Sequence, residues 1–187
     1  LKLEDHELVE LIDKFAFAAR TSILGTDTRN EKLFDKVQEK GIKLFGMQDE
    51  KFDGMCLWDS EAMQPQIYLN VEQPKDRRLF TLAHELGHLF LDYGWTPYKT
   101  NIDGNKRILS VSFRDKDKVQ DTENKNERIV NEFAGAFLMP QEIVRRVISD
   151  QEDIASKVDR VINYFGVTGR AAVNRLIMLG EMDEPKR

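Results

Sequence analysis

Residues 78–91 read RLFTLAHELGHLFL, and the interpretation of the whole chain starts from this stretch. Its apolar residues recur at intervals of three and four, which predicts a helix over 76–91 with a wide buried face. Tyr93 and Gly94 are expected to end this helix. The apolar positions are Leu79, Leu82, Ala83, Leu86, Leu89 and Phe90.

Three polar residues on this helix, His84, Glu85 and His88, form the pattern HExxH. His84 and His88 lie one turn apart on one face, so their imidazoles can converge on one cation. Glu85 is rotated from His84 by about 100°. Its carboxylate therefore flanks the metal without binding it, and it can deprotonate a water held there. The alternative is a chance spacing, but polar groups on a buried face need a partner, and a metal supplies one.

A catalytic zinc site needs three protein ligands and one open position. The third ligand is most simply a carboxylate, because Cys56 is the only cysteine and His6 lies in a polar N-terminal turn. Glu127 is followed one turn later by Asn131, which puts both on one helix face.

Glu127 could bind the metal, and Asn131 could accept a hydrogen bond from the far nitrogen of one histidine. Glu123 and Glu132 compete with Glu127 for the ligand position. Glu127 could also be a solvated acid at a helix start, where it would favour the helix dipole.

The remaining elements follow from apolar spacing and turn residues. We expect amphipathic helices over 8–23 and 33–37, a small sheet, and a long mobile loop over 96–126 that is either a lid or exosite or a solvated insertion. A further helix runs from about Asn126 to Met139-Pro140, shorter helices cover 143–148, 154–165 and 171–179, and the tail 181–187 is expected to be disordered. The strand-like runs are 42–45, 54–58 and 66–70, with 108–113 inside the loop.

Composition excludes several classes of protein. No apolar run among the 187 residues is long enough to cross a bilayer, and a single cysteine excludes an intramolecular disulfide. The N-terminus shows no basic region followed by an apolar core, so we expect no signal peptide and a cytoplasmic location. The net charge of −5 argues against direct nucleic-acid binding as the main task.

Two segments together resemble the ImmA/IrrE metallopeptidase family. One is residues 78–91, and the other is residues 127–140, ERIVNEFAGAFLMP, which is similar to the family pattern E-x-x-A-N-x-F-A-x-x-L-L-M-P. The likeness extends over roughly residues 34–180. Val130 replaces the usual alanine, and the stretch between His88 and Glu127 is longer than usual and charged.

This resemblance implies an α+β fold, a zincin-like metallopeptidase domain in which a small twisted β-sheet packs against an active-site helix, with additional C-terminal helices. We place the domain at 1–140, with a helical extension packed on it at 141–180. The resemblance also implies one Zn²⁺ per chain, held by His84, His88 and Glu127, with Glu85 as the general base.

The function implied is an intracellular zinc endopeptidase that cleaves a helix-turn-helix repressor of a phage, mobile element or stress regulon, without a membrane or nucleic-acid partner. Tyr93, Tyr98 and Arg114 are candidates for oxyanion or substrate contacts, and none is preferred. An alternative is a non-catalytic zincin scaffold that sequesters a regulator or acts in a toxin–antitoxin-like pair. A transcription factor that uses the C-terminal helices ranks last, because those helices carry no basic stripe.

Overall fold

A computed structural model describes residues 5–97, 108–113, 121–151 and 153–183. Within these ranges the chain forms seven helices and four strands. The helices are α1 (Asp5–Leu24), α2 (Leu33–Glu39), α3 (Lys75–Leu91), α4 (Asp121–Leu138), α5 (Gln141–Ile148), α6 (Ile154–Phe165) and α7 (Gly169–Met178). The strands are β1 (Lys43–Met47), β2 (Phe52–Asp59), β3 (Gln64–Asn70) and β4 (Ile108–Phe113).

The four strands form one mixed sheet in the order β1-β3-β2-β4. β2 pairs antiparallel with both β3 and β4, whereas β1 runs parallel to β3. Alternate residues of β2 and β3 are buried, as expected for a sheet with one covered face. Helix α3 contacts β2, β3 and β4, so it covers that inner face.

Helix α4 packs between α3 and α1, and one apolar core runs from α1 to α7. The α+β fold predicted from the sequence is thus confirmed. The division of the chain at residue 140 stays a prediction. None of the helices in the described ranges has the length and apolar character needed to span a bilayer.

Helix α4 begins at Asp121, so its predicted start near Asn126 is wrong. The first residues of the helix are polar, so the sequence shows no apolar periodicity there that would reveal it. Most of the predicted mobile loop, residues 98–107 and 114–120, lies outside the described residues.

The predicted disordered tail, residues 181–187, is described only as far as residue 183. Within it, the Glu181 side chain bonds to Arg145 and lies 3.7 Å from Lys157.

Buried side chains hold the C-terminal end of α4. The last carbonyls of a helix have no partner within it, and here three consecutive ones accept side-chain hydrogen bonds. Arg20 donates to the Phe137 carbonyl at 2.8 Å, Asn30 donates to that of Leu138 at 3.1 Å, and Arg175 donates to that of Met139 at 2.9 Å. Cationic groups at this end also complement the helix dipole.

Arg20 forms several hydrogen bonds around this end of α4. Its guanidinium also bonds to the Asn30 side chain and to the carbonyls of Asp27 and Arg29. Burial lowers the pKa of Arg20 to about 10, so the group stays charged at neutral pH. Arg20 therefore fixes α4 against α1 and the loop that follows α1.

We expect Arg20→Met to lower the free energy of unfolding by about 2–4 kcal/mol, because it leaves buried carbonyls without donors. Urea denaturation measures this loss. The control is Arg160→Met, since the exposed pair of Arg160 with Asp150 contributes less than about 1 kcal/mol. Equal midpoints for Arg20→Met and the parent protein would contradict this role for Arg20.

Candidate metal centre

Gly87 sets the distance between α3 and α4. The two helices run antiparallel, so that His84 lies beside Asn131 and His88 beside Glu127. A Cβ atom on Gly87 would lie 2.9 Å from Cγ1 of Val130 and 3.0 Å from a ring carbon of Phe133. The helices therefore approach closely because this residue has no side chain.

This approach brings His84, His88 and Glu127 together at one point. The two Nε2 atoms lie 3.2 Å apart. The Glu127 carboxylate lies 3.3 Å from Nε2 of His84 and 3.2 Å from Nε2 of His88. A tetrahedron with metal–ligand bonds of about 2.0–2.1 Å has edges of about 3.3–3.4 Å, so the spacing fits three ligands of a zinc-sized cation.

The Nδ1 atoms of both histidines, which point away from Glu127, also have hydrogen-bond partners. Nδ1 of His84 lies 3.0 Å from the Asn131 amide oxygen, and Nδ1 of His88 lies 2.7 Å from the Asp92 carboxylate. Both oxygens are acceptors, so each Nδ1 carries a proton, and a neutral imidazole then presents a lone pair at Nε2. When both imidazoles are neutral, two lone pairs and a carboxylate face one another, and this arrangement suits a bound cation.

The pKa shifts of His88 and Glu127 show that their surroundings favour positive charge at this point. Burial by itself would lower the pKa of His88, but hydrogen bonds to Asp92 and Glu127 outweigh it and raise this pKa to about 9. Burial would raise the pKa of Glu127, yet the hydrogen bonds from His84 and His88 hold it well below its usual value. Positive charge, carried either by protons on the imidazoles or by a bound cation, is therefore favoured where the three groups meet.

Glu85 does not belong to this group of converging atoms. Its side chain is fully buried and points to the inner face of the sheet, where the hydroxyls of Ser110 and Ser112 on β4 donate to its two oxygens. Glu85 therefore lies outside the group of His84, His88 and Glu127, and its role beside a metal stays a prediction.

The other candidate residues are placed differently. Tyr93 donates its hydroxyl proton to the Leu109 carbonyl at 2.6 Å, and burial raises its pKa, so this proton is already used. Glu132 is mostly buried and pairs with the exposed Arg128, one turn earlier on α4. The oxyanion or substrate candidates Tyr98 and Arg114 lie outside the described residues, as does the side chain of Glu123.

Sequence reasoning missed Asp92, Ser110 and Ser112. A signal for Asp92 was present, because it follows His88 by four residues and therefore lies on the same helix face. The two serines occupy alternate positions of a strand-like run, which places them on one side of the strand. Nothing in the sequence reveals that this side faces Glu85.

We expect Gly87→Ala to weaken zinc binding, because the added methyl pushes α4, and with it Glu127, away from the histidines. Overpacking should also lower the free energy of unfolding by about 1–3 kcal/mol. Competition titration with a chromophoric chelator measures the affinity.

The matched control is Gly135→Ala, since a Cβ atom at this position of α4 meets nothing within 4 Å. It should leave zinc binding unchanged and stabilise the helix by up to about 1 kcal/mol. Equal zinc affinities in the two variants would refute the spacing role of Gly87.

We expect Asn131→Ala and Asp92→Ala each to weaken zinc binding about 10–100-fold, because each removes the group that orients a histidine ring. The same titration measures both. Asn163→Ala, on the exposed side of α6, is the control and should bind zinc like the parent. Unchanged affinity in Asn131→Ala would rule out the orienting role of this residue.

Comparison with known proteins adds an independent result. No curated protein matches the chain in sequence. The peptidase family Peptidase_M78, described as the IrrE N-terminal-like domain, matches residues 37–176. This range covers well over half of the chain and includes both helices that carry the converging residues. The chain therefore belongs to the Peptidase_M78 family and carries its metallopeptidase-like, IrrE N-terminal-like domain.

Proposed function

We propose that this protein is a zinc-dependent endopeptidase that binds one Zn²⁺ per chain through His84, His88 and Glu127. The observation that carries the proposal is the convergence of two imidazole nitrogens and one carboxylate at the spacing of a tetrahedral site. Three protein ligands leave a fourth position open, which distinguishes catalytic zinc sites from structural ones.

In this proposal Glu85 is the general base. Zinc, when bound, lowers the pKa of a water to about 7 and polarises the scissile carbonyl. Glu85 accepts the proton of the attacking water and then transfers it to the leaving amine. Asn131 and Asp92 keep the two imidazoles turned so that both Nε2 atoms face the cation.

Membership of a peptidase family implies a protein substrate. We propose a helix-turn-helix transcriptional repressor of a phage, mobile element or stress regulon, and a cytoplasmic site of action. The support is the resemblance to ImmA/IrrE proteins, together with a net charge of −5 that suits a basic DNA-binding partner.

A second candidate is a non-catalytic scaffold that binds a regulator. One observation favours it, since the Glu85 side chain is completely buried and both of its oxygens accept serine protons. However, a carboxylate has about four acceptor positions, so the two serine hydrogen bonds leave two positions for a water. This remaining capacity, and the presence of a carboxylate beside the candidate metal position, favour the peptidase over the scaffold.

We expect Glu85→Gln to slow cleavage about 10²–10⁴-fold, because an amide cannot accept the proton. Zinc-loaded protein is incubated with the helix-turn-helix repressor encoded beside its gene, and fragments are followed by mass spectrometry. Zinc content should stay at about one per chain, since Glu85 is not a proposed ligand.

The control variant is Glu142→Gln, an exposed residue of α5, which should cleave at the parental rate. Cleavage by Glu85→Gln at the parental rate would exclude the proposed mechanism. Binding of the repressor by both proteins with cleavage by neither would favour the scaffold.

A further inference from the structure

Two serines lie on the inner face of the edge strand β4. Ser110 pairs with Cys56 and Ser112 pairs with Gly54, and all four residues lie on the face that α3 covers. Inward positions of a sheet beneath a helix are ordinarily apolar, as Ile67 on β3 is here. Hydroxyl groups at two successive inward positions therefore need a specific partner.

Their partner is the carboxylate of Glu85. The Ser110 hydroxyl donates to Oε2 and the Ser112 hydroxyl donates to Oε1, so each oxygen receives one proton from β4. A buried carboxylate without donors is strongly disfavoured, and these two bonds satisfy it. They also fix the plane of the carboxylate, since two separate donors hold its two oxygens.

Gly54 provides the space for this carboxylate. A Cβ atom on Gly54 would lie 3.3 Å from Oε1 of Glu85 and 2.6 Å from Cγ2 of Thr81. The sheet therefore offers two donors and one gap at the point where Glu85 meets it.

We propose that Ser110 and Ser112 are positioning residues for Glu85, holding its carboxylate in the orientation from which it accepts the proton of the attacking water. This inference rests on the proposed peptidase function. A carboxylate anchored on the sheet side keeps acceptor positions for a water on its other side. Misplacement of a reacting group by about 1 Å can slow a reaction about 100-fold, so such anchoring matters for rate.

The first test is kinetic and uses the zinc-loaded protein with the repressor encoded beside its gene. We expect the double variant Ser110→Ala/Ser112→Ala to lower kcat about 10–100-fold while KM changes less than about twofold. In the Glu85→Gln background the same substitutions should lower the residual rate by less than about twofold, because the group they position is gone. An equal loss in both backgrounds, or no loss in either, would overturn the inference.

Two further variants separate positioning from a structural effect. Ser112→Thr keeps the hydroxyl and should retain kcat to within about threefold of the parent, whereas Ser112→Ala should not. Ser22→Ala removes a hydroxyl that bonds to the Ala19 carbonyl on α1 and not to Glu85, and it should leave kcat unchanged. A loss in Ser22→Ala as large as that in Ser112→Ala would overturn the inference.

A spectroscopic test does not depend on cleavage. Co²⁺ occupies tetrahedral zinc sites, and its visible absorption spectrum responds to changes in coordination. With Co²⁺ as the probe, Glu85→Gln and the double serine variant should change the spectrum in the same way, while Ser22→Ala should match the parent.

The two tests fail independently. If the parent protein does not cleave the repressor, the proposed function is refuted and the Co²⁺ spectra still decide the role of the serines. A parental spectrum in the double serine variant, or in Glu85→Gln, would overturn the serine inference even if the parent cleaves.

Discussion

The close antiparallel contact between α3 and α4 at Gly87 is the constraint on which the candidate site depends. Neither helix carries a complete set of ligands, because α3 supplies two histidines and α4 supplies the carboxylate of Glu127. The contact brings this carboxylate within 3.3 Å of both imidazoles. A single methyl group at Gly87 would occupy space that Val130 and Phe133 now fill.

The far end of α4 explains why this contact is held in one register. Arg20, Asn30 and Arg175 come from α1, the loop after α1 and α7, and each binds one of the last carbonyls that α4 leaves free. Arg175 also forms a two-pronged ion pair with Asp13 at 2.8 and 3.0 Å. Because α4 is fixed at its C-terminal end, its N-terminal half has a fixed position along α3. Glu127 lies in that half.

The polar groups around the site fall into two sets with different tasks. Asn131 and Asp92 bind the outer nitrogens of the histidines and so turn both Nε2 atoms inward. Ser110 and Ser112 bind Glu85 from the sheet, on the side away from α4. Every buried carboxylate or imidazole in the centre thus has a partner, which low-dielectric surroundings require.

The sequence by itself determined the local pattern of the site. Helical periodicity is a short-range property, so HExxH fixed the relation of His84, Glu85 and His88 within one helix, and E-x-x-x-N did the same for Glu127 and Asn131. Which carboxylate meets the histidines, and which strand meets Glu85, depends on contacts between residues far apart in the chain. Spacing along one helix left Glu123, Glu127 and Glu132 as alternatives, and only the packing of α4 on α3 brought Glu127 to the imidazoles.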